Sequence, residues 1–162
     1  MNILLLNLLL AGLVGTALVG GLLYAFSVCI MKALAGLTDA EGIKAMQTIN
    51  RVILNPTFFL SFIGTAVLSL VNGAFVLMGW AGDFPDIFIF ASAFYLFGVF
   101  LVTARGNVPL NHKLDALQAE RGSEFWKIYL KDWTRLNHLR TVAATISVFL
   151  YGVGFVQYTF QP

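Results

Sequence analysis

Four long apolar stretches alternate with short polar ones along the chain. Residues 3–31, 57–82, 87–104 and 139–160 are almost free of charge, and each approaches or exceeds the roughly 20 residues a helix needs to cross a bilayer core. The first stretch has nothing basic before it and is far longer than the roughly 7–15 apolar residues of a secretory signal, so it reads as a retained helix. The expected architecture is all-α: a four-helix transmembrane bundle in one domain, residues 1–162, with amphipathic helices in its polar connections.

Within each span the polar and small residues repeat at helical spacing. Ala17, Gly21 and Ala25 form a face of small residues that should pack inward. Ser61, Thr65, Ser69 and Asn72 make one polar stripe on the second span, and Ser147, Tyr151, Gly154 and Tyr158 another on the fourth. In lipid such stripes must face protein. The third span carries Ser92, Tyr95 and Thr103.

The connections have their own punctuation. Thr38-Asp39-Ala40-Glu41 is a capping box that starts a helix, with Ile43, Met46 and Ile53 on one face. Asn55-Pro56 ends that helix near Leu54 and starts the second span. Arg105-Gly106-Asn107 should end the third span, and Pro109 suits the first turn of a new helix that stops near Gly122. Ser123 then caps a helix that merges with the fourth span; 35 residues from Glu124 to Tyr158 would reach roughly 50 Å, against a hydrocarbon core of about 30 Å. Several turns should project from the membrane, and the fold-back at Gly122 should bring Asn111 next to the turn from Asn137 to Arg140.

Composition agrees with a membrane protein. Hydrophobic residues make up 59% of the chain and charged ones 11%, with a mean hydropathy of +0.82, far from the soluble norm. All ten Lys and Arg residues fall in or beside the two long connections, which places those connections in the cytoplasm of a multi-pass cell-membrane protein and both termini, with the Gly82-to-Asp86 turn, outside. The net charge of +2 is thus a topological signal, and no nucleic-acid partner follows from it. The lone Cys29 has no disulfide partner in the chain and should serve packing. No CxxC, HExxH, P-loop or GxGxxG is present.

Reactive side chains concentrate in two stretches, Asn107-Val108-Pro109-Leu110-Asn111-His112 and Trp133-Thr134-Arg135-Leu136-Asn137-His138-Leu139-Arg140. Trp126, Tyr129, Trp133, Asn137 and Arg140 share one helical stripe, with His138 at its edge. Trp126, Tyr129, Lys127 and Lys131 fit an interfacial belt. Asn137, His138 and Arg140 fit it poorly, because unpaired polar groups beside an apolar span cost several kcal/mol. Two histidines are too few for a three-ligand metal site without added carboxylates, although one imidazole could bind haem. His138 as a base, Arg140 as an oxyanion holder and Asn137 as an orienting group would together suit carbanion or phenolate chemistry.

Five elements, in order, resemble those of the anthrone oxygenase-like membrane proteins, long catalogued as a domain of unknown function: Tyr24-Ala25-Phe26-Ser27, Met46-Gln47-Thr48-Ile49-Asn50, Asn55-Pro56-x-Phe58, Asn107-x-Pro109-Leu110-Asn111 and Trp133-x-x-x-Asn137-His138-x-Arg140-Thr141. The resemblance implies a four-helix membrane bundle, in some members oxidising polycyclic anthrones to anthraquinones with molecular oxygen as co-substrate and no cofactor. It carries the polar set onto Asn107, Asn111, Trp133, Asn137, His138 and Arg140.

The expected function is therefore an integral membrane oxygenase acting on an acidic, anthrone-like aromatic compound. His138 would be the general base, Arg140 and Asn137 would hold the enolate oxygen, and Asn111, Asn107 and Trp133 would line the pocket, with Asn50 and Asn55 at its rim. The competing expectation is a noncatalytic membrane subunit, in a homo-oligomer or larger complex, whose polar cluster binds lipid, quinone or haem.

Overall fold

In the computed structural model, residues 3–79 and 86–159 are described. They are helical almost throughout, without strands. Four helices are long and apolar enough to cross a membrane: α1 (Ile3–Ala35), α3 (Pro56–Leu77), α4 (Ile87–Asp115) and α5 (Ser123–Thr159). A shorter amphipathic helix, α2 (Asp39–Val52), joins α1 to α3. The expected turn from Gly82 to Asp86 lies, up to Pro85, outside the described residues, as do the ends of the second and fourth predicted spans.

The helices pack through the polar stripes. Thr65, Ser69 and Asn72 on α3, Ser92 and Tyr95 on α4 and Ser147 and Tyr151 on α5 are all buried. Ser92 and Tyr151 share a hydrogen bond of 3.0 Å, and the Ser147 hydroxyl donates to the Ala91 carbonyl at 2.7 Å. Close approach is made by glycine: a Cβ on Gly98 would lie 2.4 Å from that of Ala143, so α4 and α5 meet there only because it is absent.

The small-residue face of α1 does not do this. Ala17 and Gly21 are exposed, and a Cβ on Gly21 would meet nothing within 4 Å. The inward stripe lies one position round the helix, on Gly12, Thr16, Val19 and Leu23. Cys29 also faces outward, its thiol donating to the Ala25 carbonyl at 3.1 Å.

α4 departs most from expectation. Pro109 does sit in the first turn of an α-helical segment, Val108–Asp115, but no break precedes it and the segment stops short of Gly122; one continuous helix runs from Ile87 to Asp115. Proline inside an α-helix clashes with the carbonyl four residues back. Here the preceding turn, Thr103–Asn107, is a π-turn in which Val108 donates to the Thr103 carbonyl five residues behind, and this wider turn lets the helix continue through Pro109. α1 carries a similar π-turn at Phe26–Ile30, closed by Met31 donating to Phe26. Beyond Asp115 a single 3₁₀ turn, Ala119–Arg121, leads into α5.

α2 lies across the end of the bundle where α1 and α4 finish and α3 and α5 begin. Its capping box forms as expected, Thr38 accepting from the Glu41 amide and donating to its carboxylate at 2.6 Å. These bonds hold the Glu41 carboxyl below the usual range. The Gln47 amide donates to the Leu114 and Leu117 carbonyls at 2.9 and 3.0 Å. Lys44 pairs with Glu120 at 2.6 Å and Arg51 with Asp115 at 3.3 Å. The Ser123 hydroxyl, expected to cap its own helix, donates to the Asp39 carboxylate instead.

Because α2 covers them, Trp126 and Tyr129 are not an interfacial belt. They are 1% and 0% exposed, stacked on each other and on Trp133 with centroids 5.6 and 6.1 Å apart. Gly42 lets α2 come down on this ladder, since a Cβ there would lie 2.8 Å from the Trp126 ring.

Candidate functional site

Beneath α2 lies a cavity of about 300 Å³ to which all five helices contribute, at the lower end of the size range of small-molecule sites. Its walls are mainly aliphatic and aromatic, with Leu23 and Phe26 from α1, Met46 from α2, Phe58 and Phe62 from α3 and Phe100 from α4. The polar lining gathers on one side: Asn50, Thr103, Asn107, Asn111, Trp133 and Arg140. The separation of Asn111 from Arg140 in sequence is thus closed in space, as the fold-back requires.

Several of these polar groups keep a donor or an acceptor over. Asn111 Oδ1 accepts from the Tyr129 hydroxyl and from Trp133 Nε1, both at 2.8 Å. Two donors define which amide atom is the oxygen, so the Asn111 NH₂ is left to donate elsewhere. Asn107 Nδ2 donates to the Trp133 carbonyl at 3.3 Å while its Oδ1 has no partner. Asn50 Nδ2, beside the Tyr129 hydroxyl, also lacks a hydrogen bond.

Arg140 is 5% exposed. Its Nη2 donates to Asn137 Oδ1 at 2.7 Å, its Nη1 to Thr103 Oγ1 at 3.0 Å, and its Nε to nothing. The guanidinium stands 5.2 Å over the Trp133 ring, a cation–π contact. Among the described residues it has no carboxylate partner, and it is the one charged side chain on the cavity wall. A buried charge without a counter-ion costs several kcal/mol.

Asn137 and His138 lie behind this wall. Asn137 Nδ2 donates at 2.8 Å to both the Leu23 carbonyl and Ser27 Oγ, so both its protons and its oxygen are committed to holding Arg140. Ser27, in the π-turn of α1, also contacts Thr141 Oγ1 at 2.9 Å and His138 Nδ1 at 3.0 Å. Ser27 Oγ accepts from Asn137 and has one proton of its own to share between Thr141 and His138.

His138 is exposed and does not line the cavity. Asn55 is not on the lining either; it caps α3, accepting from the Phe58 amide and donating to the Val52 carbonyl, both at 3.0 Å. Ser27, Thr103 and Thr141 are additions. Ser27 and Thr141 already stood in the recurring sequence elements, and Thr103 was the last polar residue of the third span.

No group of three His, Cys, Asp or Glu side chains among the described residues is placed to hold a metal ion. The sequence profile of the anthrone oxygenase family matches residues 56–150. The chain belongs to the anthrone oxygenase family. The matched region takes in α3, α4 and most of α5, and with them every polar residue of the cavity except Asn50. Ser27 lies outside the match, on α1. No curated protein and no solved structure matches the chain.

Proposed function

We propose that this anthrone oxygenase-family protein is a membrane oxygenase that binds an anthrone-like aromatic C–H acid in the α2-covered cavity and stabilises its conjugate base. The observation that carries this reading is Arg140: a buried guanidinium, without a counter-ion among the described residues, on the wall of an otherwise apolar cavity. Such a site favours a delocalised anion whose charge rests on one oxygen. Arg140 Nε and the Asn111 NH₂ are donors with capacity to spare, and Phe58, Phe62 and Trp133 offer flat apolar surface to the rings. With no base among the described lining residues, the C–H proton passes to water as Arg140 stabilises the anion. The carbanion then gives one electron to molecular oxygen, and the ligand radical and superoxide combine to a hydroperoxide that loses water to leave the quinone carbonyl. The protein need only favour ionisation and orient the ring.

In this reading Asn137 holds Arg140 through a fully committed amide. His138, the base expected from the sequence, stands on the outer side of the Ser27–Asn137 linkage with Nε2 directed away from the bond to Ser27. Its position supports a positioning role, through the hydrogen bond between its Nδ1 and Ser27 Oγ. The basic end of the bundle is cytoplasmic, following the distribution of Lys and Arg.

The test is oxygen uptake with dithranol or emodin anthrone in detergent, corrected for spontaneous oxidation. Wild type should exceed the background, and Arg140→Lys, which keeps the charge but not the planar fork, should fall well below wild type. His138→Gln separates its two roles: a loss of about 10²–10⁴-fold marks a general base, and a loss under about tenfold marks positioning. Wild-type uptake equal to background would favour the noncatalytic reading. A visible absorption band of haem in the purified protein would do the same.

A further inference from the structure

The cavity is closed toward the basic end by α2, whose Ile43 and Met46 are fully buried and whose length is fastened to α4 and the 3₁₀ turn. It is not closed sideways. α3 packs along the Ile87–Leu101 part of α4, but beyond it the two helices diverge, and Thr103–Asn107 packs on α5 instead. Phe59 and Ile63 of α3 and Ala104 and Val108 of α4 edge this gap. All four line the cavity, yet all four are exposed on the outer face of the bundle, Phe59 by 44% and Ile63 by 41%. The rim of the gap is apolar, and it opens on a side of the bundle that would meet lipid tails.

We propose that the α3–α4 gap is the ligand entrance, used from the bilayer and not from water, by the aromatic C–H acid assigned to the cavity above, entering in its neutral form. The occupant rests on the function proposed above; the entrance rests on the gap. The chemistry at the two ends of the path argues for this occupant. Lipid tails are as apolar as the walls, so moving an aromatic from bilayer to cavity gains little hydrophobic free energy. The walls supply shape, and discrimination against an acyl chain falls to Arg140 and Asn111, which reward an oxygen that can carry charge. A ligand already charged would be held at the headgroups, so ionisation belongs inside, after entry.

A second groove lies between α1 and α3, lined by Leu18, Asn55, Thr57 and Ser61. Val19 and Phe58 stand between it and the cavity and line both. With Val19 3% exposed, this side is a packed wall, which makes it the control.

The experiment uses the full chain in phosphatidylcholine vesicles, with emodin as the probe. Quenching of tryptophan emission reports binding, because Trp133 is on the cavity wall. Oxygen uptake with emodin anthrone is measured in parallel. Ala104→Phe and Ile63→Phe, at exposed positions on the rim, should slow the onset of quenching after mixing by about tenfold or more, a rise of about 1.4 kcal/mol in the entry barrier. Leu18→Phe and Ser61→Phe should leave it unchanged. Val108→Phe repeats the test if either rim variant fails to fold. In wild type, the rate of onset should follow emodin per lipid and not emodin per volume when lipid is varied.

Quenching impaired by the α1–α3 substitutions and not by the rim substitutions overturns the entrance. So does an onset rate that follows bulk concentration, or an absence of quenching in wild type. Quenching that behaves as expected while oxygen uptake stays at background upholds the entrance and overturns the oxygenase reading instead.

Discussion

The middle of the bundle and its basic end both bury polar side chains in an apolar setting, and they do so differently. In the middle, hydroxyls meet one another or backbone carbonyls: Ser92 with Tyr151, Ser147 with Ala91, Tyr95 with Phe62 at 2.9 Å. At the basic end the groups are a guanidinium and several amides, in a network that leaves Arg140 Nε, Asn107 Oδ1 and Asn50 Nδ2 without partners on residues that line the cavity. Ser69 Oγ and Asn72 Oδ1 in the middle also lack partners, but neither lines the cavity. Burial of polar groups therefore does not by itself separate helix adhesive from a site. A charge without a counter-charge, facing unfilled volume, does.

The contrast breaks most directly at Arg140. Arg140→Gln should lower kcat/KM by about 10²–10³, the effect of losing an oxyanion donor, while leaving thermal stability equal or higher, since an uncompensated buried charge is gone. If stability falls along with turnover, Arg140 belongs with the adhesive. Asn111→Leu comes next, because it strands the Tyr129 hydroxyl and the Trp133 Nε1 proton; each costs about 1–3 kcal/mol, visible as a lower unfolding midpoint together with weaker quinone binding.

Thr38→Ala tests the covering helix and should cost about 1 kcal/mol through loss of the cap. The sign of its pH dependence is set by Glu41. A carboxyl held below its ordinary value stabilises the fold fully above the usual carboxylate range, and loses that effect as pH falls through the lowered folded value. Wild type and Thr38→Ala should accordingly converge in acid. The smallest effect is expected in the middle of the bundle, where Tyr151→Phe should cost about 0.6 kcal/mol, the average for an interhelical hydrogen bond in a membrane, with turnover unchanged. A larger loss of turnover than of stability there would erase the distinction.

Much of this was legible in the sequence, for identifiable reasons. Four apolar spans, the capping box at Thr38, the polar stripe of α3 and the meeting of Asn111 with Arg140 follow from periodicity and from the fold-back at Gly122. Pro109 takes the first-turn position expected of it, but the break expected before it is absent because a π-turn carries the third span straight through, a feature with no signature in hydrophobic pattern. The faces of α1 misled for a related reason: Ala17, Gly21 and Ala25 are correctly spaced, but spacing does not say which of two neighbouring stripes the other helices choose. At the site, residue type identified Arg140 and Asn111. It could not show that Asn137 looks inward while His138, one residue on and bonded to the same serine, looks outward.

α4 also has a π-helical stretch at Phe94–Leu101, and the π-turns Phe26–Ile30 and Thr103–Asn107 limit how this chain can change in length. A π-turn holds one residue more than the α-turn it replaces, and each residue turns an α-helix by about 100°. Deleting any one residue of Phe26–Ile30 would restore an ordinary pitch and rotate everything on one side of it by that angle, carrying Met31 and Leu34 off the core or Val19 and Leu23 off theirs. The same holds in α4 for the phase between Tyr95 and Asn111. Substitutions in these turns can be absorbed one side chain at a time, but a single-codon deletion would turn one half of the helix out of register with its neighbours, so related chains should keep the residue count through both turns even where the residues themselves differ.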